Sequence, residues 1–136
     1  MLRQVLQALS NVTLAAMVPA VEEHGYTINQ LILRWTATSP AQLSANTNNY
    51  DPGDANVLRL SASGAINLTG ITRGDESRLL TLVNVGTNTI TLKNQDANSS
   101  AQNRIIGLGA ADFALAANVS ALLWYDIVTL RWRQVK

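Results

Sequence analysis

Between Val57 and Val135 the sequence is cut into short apolar segments by turn residues, and nothing there is long enough or periodic enough for a helix. The segments are Val57–Ser61, Ile66–Leu68, Leu79–Val85, Thr89–Lys93, Arg104–Ile106, Phe113–Leu115, Val119–Tyr125 and Arg131–Val135. Strands this short and this close together, with no intervening helical crossover, exclude βαβ units and point to an all-β fold, an antiparallel β-sandwich or jelly-roll-like domain. Composition agrees. Asn, Thr and Ser number 34 of the 136 residues, while charged residues are only 14%, which suits polar uncharged turns better than a helical bundle. The length fits one core and is too short for two catalytic lobes.

Two hairpins stand out. Val85-Gly86-Thr87-Asn88 joins two alternating runs, with Gly86 and Asn88 as residues that tolerate positive φ. Asp126 to Leu130 joins the last two segments in the same way. Alternation along these runs places Leu80, Leu82, Ile90, Leu92, Leu122 and Trp124 in the interior. No internal repeat is visible.

The first third is different. Leu2, Val5, Leu6 and Leu9 recur at helical spacing, making a short apolar face that cannot be stable unless it docks on something. The recurring polar residues Gln4, Gln7, Ser10, Asn11 and Thr13 argue against a secretory signal or a membrane span. Tyr26–Trp35 alternates as a strand, and Thr36–Asp54 reads as a long irregular connection of the sort that is often functional or bound to a partner. The expected organisation is an N-terminal arm and attachment region over residues 1–42, followed by a β domain over residues 43–136. Leu2, Val5, Leu6, Leu9, Val12 and Leu14 are the expected contacts of that arm with a shell or an oligomer interface.

Chemistry is sparse. The chain has no cysteine and one histidine, His24, so there is no thiolate nucleophile and no Cys-ligated metal. Glu22-Glu23-His24 lacks further donors at helical spacing, and His24 reads as an ordinary loop residue. Asp51-Pro52-Gly53-Asp54, with Asn48 and Asn49, offers oxygen atoms to Ca²⁺ but reads first as a Pro-Gly turn with solvated carboxylates. Gly107-Leu108-Gly109-Ala110 lacks the Lys and Ser/Thr of a phosphate loop. The six Asp and three Glu lie mostly in turns, against a hydrolase. No catalytic, cofactor-binding or metal-binding residue is expected. Net charge is +1 with no basic cluster, so neither nucleic acid nor a membrane is an expected partner. Trp124, Tyr125 and Trp132 form a possible ligand platform for a sugar, set against the commoner role of aromatic pairs in bracing a hairpin.

From Leu43 onward the sequence resembles a module of tailed-bacteriophage structural proteins, found in head fibres, capsid decoration (cement) proteins and tail-fibre or receptor-binding proteins. The resemblance is carried, in order, by Asn48-Asn49-Tyr50-Asp51-Pro52, Leu58-Arg59-Leu60, Ile66-Asn67-Leu68-Thr69-Gly70-Ile71 and Arg78 to Gly86. It continues through Thr89-Ile90-Thr91-Leu92, Ser99 to Arg104, Leu123-Trp124-Tyr125-Asp126 and Arg131-Trp132. The resemblance implies a non-enzymatic virion protein with a β-sandwich or jelly-roll-like fold, usually a homotrimer. The expected partners are further copies of the chain and the major capsid protein or another virion protein. The small size favours a place on the capsid exterior. The alternative is a tail module that binds a host surface glycan.

Overall fold

The computed structural model describes residues 36–75 and 78–136. The expected arm contacts Leu2, Val5, Leu6, Leu9, Val12 and Leu14, together with His24 and the strand expected over Tyr26–Trp35, all lie outside the described residues. What is described is sheet-rich. Nine strands run in order: β1 (Ala37–Thr38), β2 (Val57–Leu60), β3 (Ile66–Leu68), β4 (Leu79–Asn84), β5 (Ile90–Leu92), β6 (Ile105–Ile106), β7 (Phe113–Leu115), β8 (Ser120–Asp126) and β9 (Arg131–Val135). Short 3-10 turns cover Ala101–Asn103 and Leu108–Ala110. The strands form a six-stranded sheet, β1-β2-β4-β8-β9-β6, and a three-stranded sheet, β3-β5-β7.

The pairing corrects the antiparallel expectation. β1 with β2, β2 with β4, β3 with β5 and β6 with β9 are parallel, whereas β4 with β8, β8 with β9 and β5 with β7 are antiparallel. The cause is the course of the chain. Each pass lays one strand in the large sheet and the next in the small sheet, so the following pass returns in the same direction and stacks beside it. Ala37 pairs with Val57 and Val57 with Thr81; Ile66 pairs with Ile90. A parallel pair normally needs a helical crossover. Here the strand in the opposite sheet serves that purpose. After β6 the chain reverses, and β7 and β8 run antiparallel to the pass before them.

The supposed hairpin at Val85–Asn88 is therefore a corner between sheets, because β4 and β5 belong to different ones. Asn84, fully buried at the end of β4, makes the corner. Its Nδ2 donates to the carbonyls of Asn88 and Leu115, each at 2.8 Å, and its Oδ1 accepts the Gly86 amide at 3.0 Å. One side chain thus supplies hydrogen bonds that the ladder loses where the chain leaves the sheet. Gly86 serves close approach rather than positive φ, since a Cβ there would meet that of Ser61 at 3.0 Å.

The first pass, from β1 to Tyr50, also differs from its expected irregularity. Leu43, Thr47 and Tyr50 form parallel bridges with Ala62, Leu68 and Ile71, and β1 pairs with β2, so the β unit begins before Leu43. Asparagines fill the gaps between these bridges. Asn46 Oδ1 accepts the Asn67 amide at 2.8 Å, and Asn48 Oδ1 accepts the Thr69 hydroxyl at 2.7 Å. Asn49, at φ 49°, accepts the Ser100 amide at 2.8 Å and Asn103 Nδ2 at 2.9 Å. The polar composition is thus built into the ladder.

Both sheets feed one apolar cluster. Leu58, Leu60, Leu80, Leu82, Leu123 and Trp132 enter it from the large sheet, and Ile66, Leu68, Ile90, Leu92 and Leu115 from the small one. Leu80, Leu82, Ile90 and Leu92 lie where alternation puts them. Leu122 and Trp124 do not. In β8 the buried apolar residues are Ala121, Leu123 and Tyr125, one residue out of step with the expectation. The run Ala-Leu-Leu-Trp-Tyr is apolar at both parities, so its pattern could not choose a face.

Candidate interaction face

Because Leu123 and Tyr125 point inward, their neighbours Leu122 and Trp124 point outward, and the register shows what accompanies them. One outward row crosses the large sheet as Val57, Thr81, Leu122 and Val135. The next row is Leu79, Trp124, Arg133 and Ile106, and on the other side lie Arg59, Val83 and Ser120. Seven of these eleven positions are Val, Leu, Ile or Trp. The small sheet presents Asn67, Thr91 and Ala114 to the outside, a row suited to water. An antiparallel or mixed sheet with one wet face ordinarily alternates apolar with polar. The small sheet obeys this; the large sheet is largely apolar on its outer face as well, with its charges at Arg59, Arg133 and the terminal Asp126–Arg131 pair.

The exposed large hydrophobics repeat the asymmetry. Among the described residues they are Leu79, Val85, Leu108, Ile127, Val128, Leu130 and Val135, and none belongs to the small sheet. Leu79 and Val135 lie on the outward rows. Ile127, Val128 and Leu130 form the β8–β9 turn, with Val128 at 88% exposure. Leu108 follows β6, where its amide donates to Gln134 Oε1 of β9 at 3.2 Å.

The turn is held rigid. Asp126 accepts the Val128 amide at 3.0 Å, the Thr129 amide at 3.3 Å and the Thr129 hydroxyl at 2.7 Å. It also accepts Arg133 Nε at 2.7 Å. The Thr129 hydroxyl first, then the Arg133 guanidinium, hold this carboxyl at about 2, below its ordinary 3.8. A lowered folded pKa means that the turn's stabilisation is complete above the ordinary value and is lost as pH falls from about 4 through 2. Carboxyl-carbon NMR should show Asp126 titrating near 2, with the Val128 and Thr129 amides losing protection together. A midpoint at the ordinary value would contradict the arrangement.

The three-ring platform is not formed. Tyr125 and Trp132 are cross-strand neighbours buried at 3% and 0% exposure, edge-to-face with ring centroids 5.2 Å apart. Trp132 Nε1 donates to the Ile71 carbonyl at 2.7 Å and the Tyr125 hydroxyl to that of Gln102 at 3.2 Å. These two rings brace the core, and only Trp124 faces outward. Alternation along a hairpin separates Trp124 from Tyr125, and the cross-strand position puts Trp132 with Tyr125.

The Asp51–Asp54 turn is also accounted for by protein groups. Arg73 donates to Asp51 at 2.6 Å and to Asp54 at 3.2 Å, and Asp51 Oδ1 accepts the Gly53 amide at 2.9 Å. The Arg73 hydrogen bond, with that amide, lowers the Asp51 pKa. Arg78 ties down the same turn by donating to the Gly53 carbonyl at 2.8 Å and the Ala55 carbonyl at 2.5 Å. Both carboxylates thus accept hydrogen bonds from one guanidinium. Gly107–Ala110 forms a 3-10 turn in which Gly109 has φ 64°. The outward sheet face was missed from sequence because only the register reveals it; the signal present was the two-sided apolarity of Leu122 to Tyr125. Comparison with protein-family models, curated proteins and solved structures finds no match to this chain.

Proposed function

We propose that this is a non-enzymatic virion structural protein of a tailed phage. In this reading it is a homotrimeric decoration (cement) or head-fibre protein on the capsid exterior, built on a β-sandwich-like scaffold. The observation that supports a structural role is the outward face of the large sheet, a broad apolar surface of the kind that marks protein–protein contact. The assignment to a phage particle rests on the ordered resemblance from Leu43 onward. A tail-borne glycan-binding module loses its main support with the burial of Tyr125 and Trp132.

Electron microscopy of particles carrying the protein is the test. The proposal expects density that follows the capsid lattice and disappears when the gene is deleted. Density confined to the tail would overturn the capsid assignment.

A further inference from the structure

We infer that the outward face of the six-stranded sheet is a contact between copies of this chain. The inference deepens the structural reading above, on which it rests, by naming the surface and its occupant.

A strand apolar on both sides belongs between two layers. Among the described residues β8 has one layer beneath it, the cluster shared with the small sheet, and Leu122 and Trp124 lie on its other side. Size limits what can cover them. Five strands from β2 to β6 span about 24 Å across, and their 4, 6, 7, 5 and 2 residues give a footprint of about 400 Å². The rigid apolar turn and Leu108 extend it toward the 800 Å² or so that each partner contributes to a standard interface. A single helix, about 10 Å across, covers less than half the width. The same faces of two further copies, meeting around a common axis, cover all of it, and the chain itself supplies them.

Charge permits such a contact. Arg133 already has its counter-ion in Asp126 of the same chain, at 2.7 Å. Arg59 sits at the β2 side of the face, exposed, where a long side chain can keep its head in water while its stem lies on apolar surface. The centre, around Leu122, holds no charge, as the cores of interfaces do.

The experiment uses the full chain and measures mass by sedimentation over a wide concentration range. The expected result is an oligomer whose dissociation constant rises at least about tenfold in the double variant Leu79→Lys, Val135→Lys, at peripheral positions that are already 38% and 41% exposed. Thr91→Lys, on the small sheet's outer row, should leave it unchanged. The chain has no cysteine, so Val135→Cys and Thr91→Cys give a second reading that does not require the lysine variant to fold. On assembly the Val135→Cys thiol should react with a maleimide far more slowly than in the dissociated protein, while the Thr91→Cys thiol should react equally fast in both. A chain that stays monomeric, an oligomer indifferent to the face substitutions, or equal shielding of the two thiols on assembly would overturn the inference. Each of these results is obtained without particles, so it leaves the virion assignment to its own test.

Discussion

Replacing Trp132 with alanine is expected to cost about 3–5 kcal/mol of folding stability, the largest effect of any single substitution considered for this chain. Trp132 is wholly buried on β9. It packs edge-to-face on Tyr125, and its Nε1 hydrogen bond to the Ile71 carbonyl ties the last strand to the second pass. Alanine opens a large cavity and strands that carbonyl. Trp132→Phe should recover most of the packing while still losing the hydrogen bond, a smaller loss of about 1–3 kcal/mol. Urea unfolding of the three proteins measures both steps. Equal losses for Ala and Phe would assign the whole effect to the hydrogen bond and contradict the packing account.

Asn84→Leu should cost about 2–4 kcal/mol, although it adds apolar surface at a site with no exposure. Leucine conserves bulk but leaves the carbonyls of Asn88 and Leu115, and the Gly86 amide, without their partner. Asn84→Asp keeps the acceptor for Gly86 and loses the donor, so it should be nearly as damaging. Denaturant unfolding decides: a neutral or stabilising Asn84→Leu would show that the corner is held by packing alone.

The contrast between these two residues shows how far the sequence could be read. Short strands and the alternation of Leu80, Leu82, Ile90 and Leu92 were legible because one face of each strand is apolar and the other is not. The last hairpin was legible because its turn is local, and β8 and β9 do pair antiparallel. Where the chain crossed between sheets, the same turn chemistry gave the wrong partner. Val85-Gly86-Thr87-Asn88 looks like a hairpin loop, and only the buried side chain of Asn84, bonded across to Leu115, makes it a corner. Parallel stacking was hidden for a related reason, since its partners lie a whole pass apart. One trace existed: Tyr50 pairs with Ile71, and each is followed three positions later by Gly-Asp, at Gly53-Asp54 and Gly74-Asp75.

The candidate site was the least legible part. The three aromatics near the C-terminus suggested a platform by proximity in sequence, whereas strand geometry sends Trp124 to one face and Tyr125, with Trp132, to the other. What the sequence did carry was an anomaly at Leu122 to Tyr125, apolar on both faces, which blurred the register and marked the surface together. A segment apolar on both sides cannot report which side is its own core.

Hydroxyl-radical footprinting of the associated protein, compared with its dissociated form, tests the proposal that the large sheet's outer face is the assembly surface. Trp124 and Leu122 are expected to be oxidised in the dissociated form and protected on assembly, while Tyr125 and Trp132 stay unreactive in both because they are buried within the chain. Trp124 oxidised equally in both states would contradict the proposal.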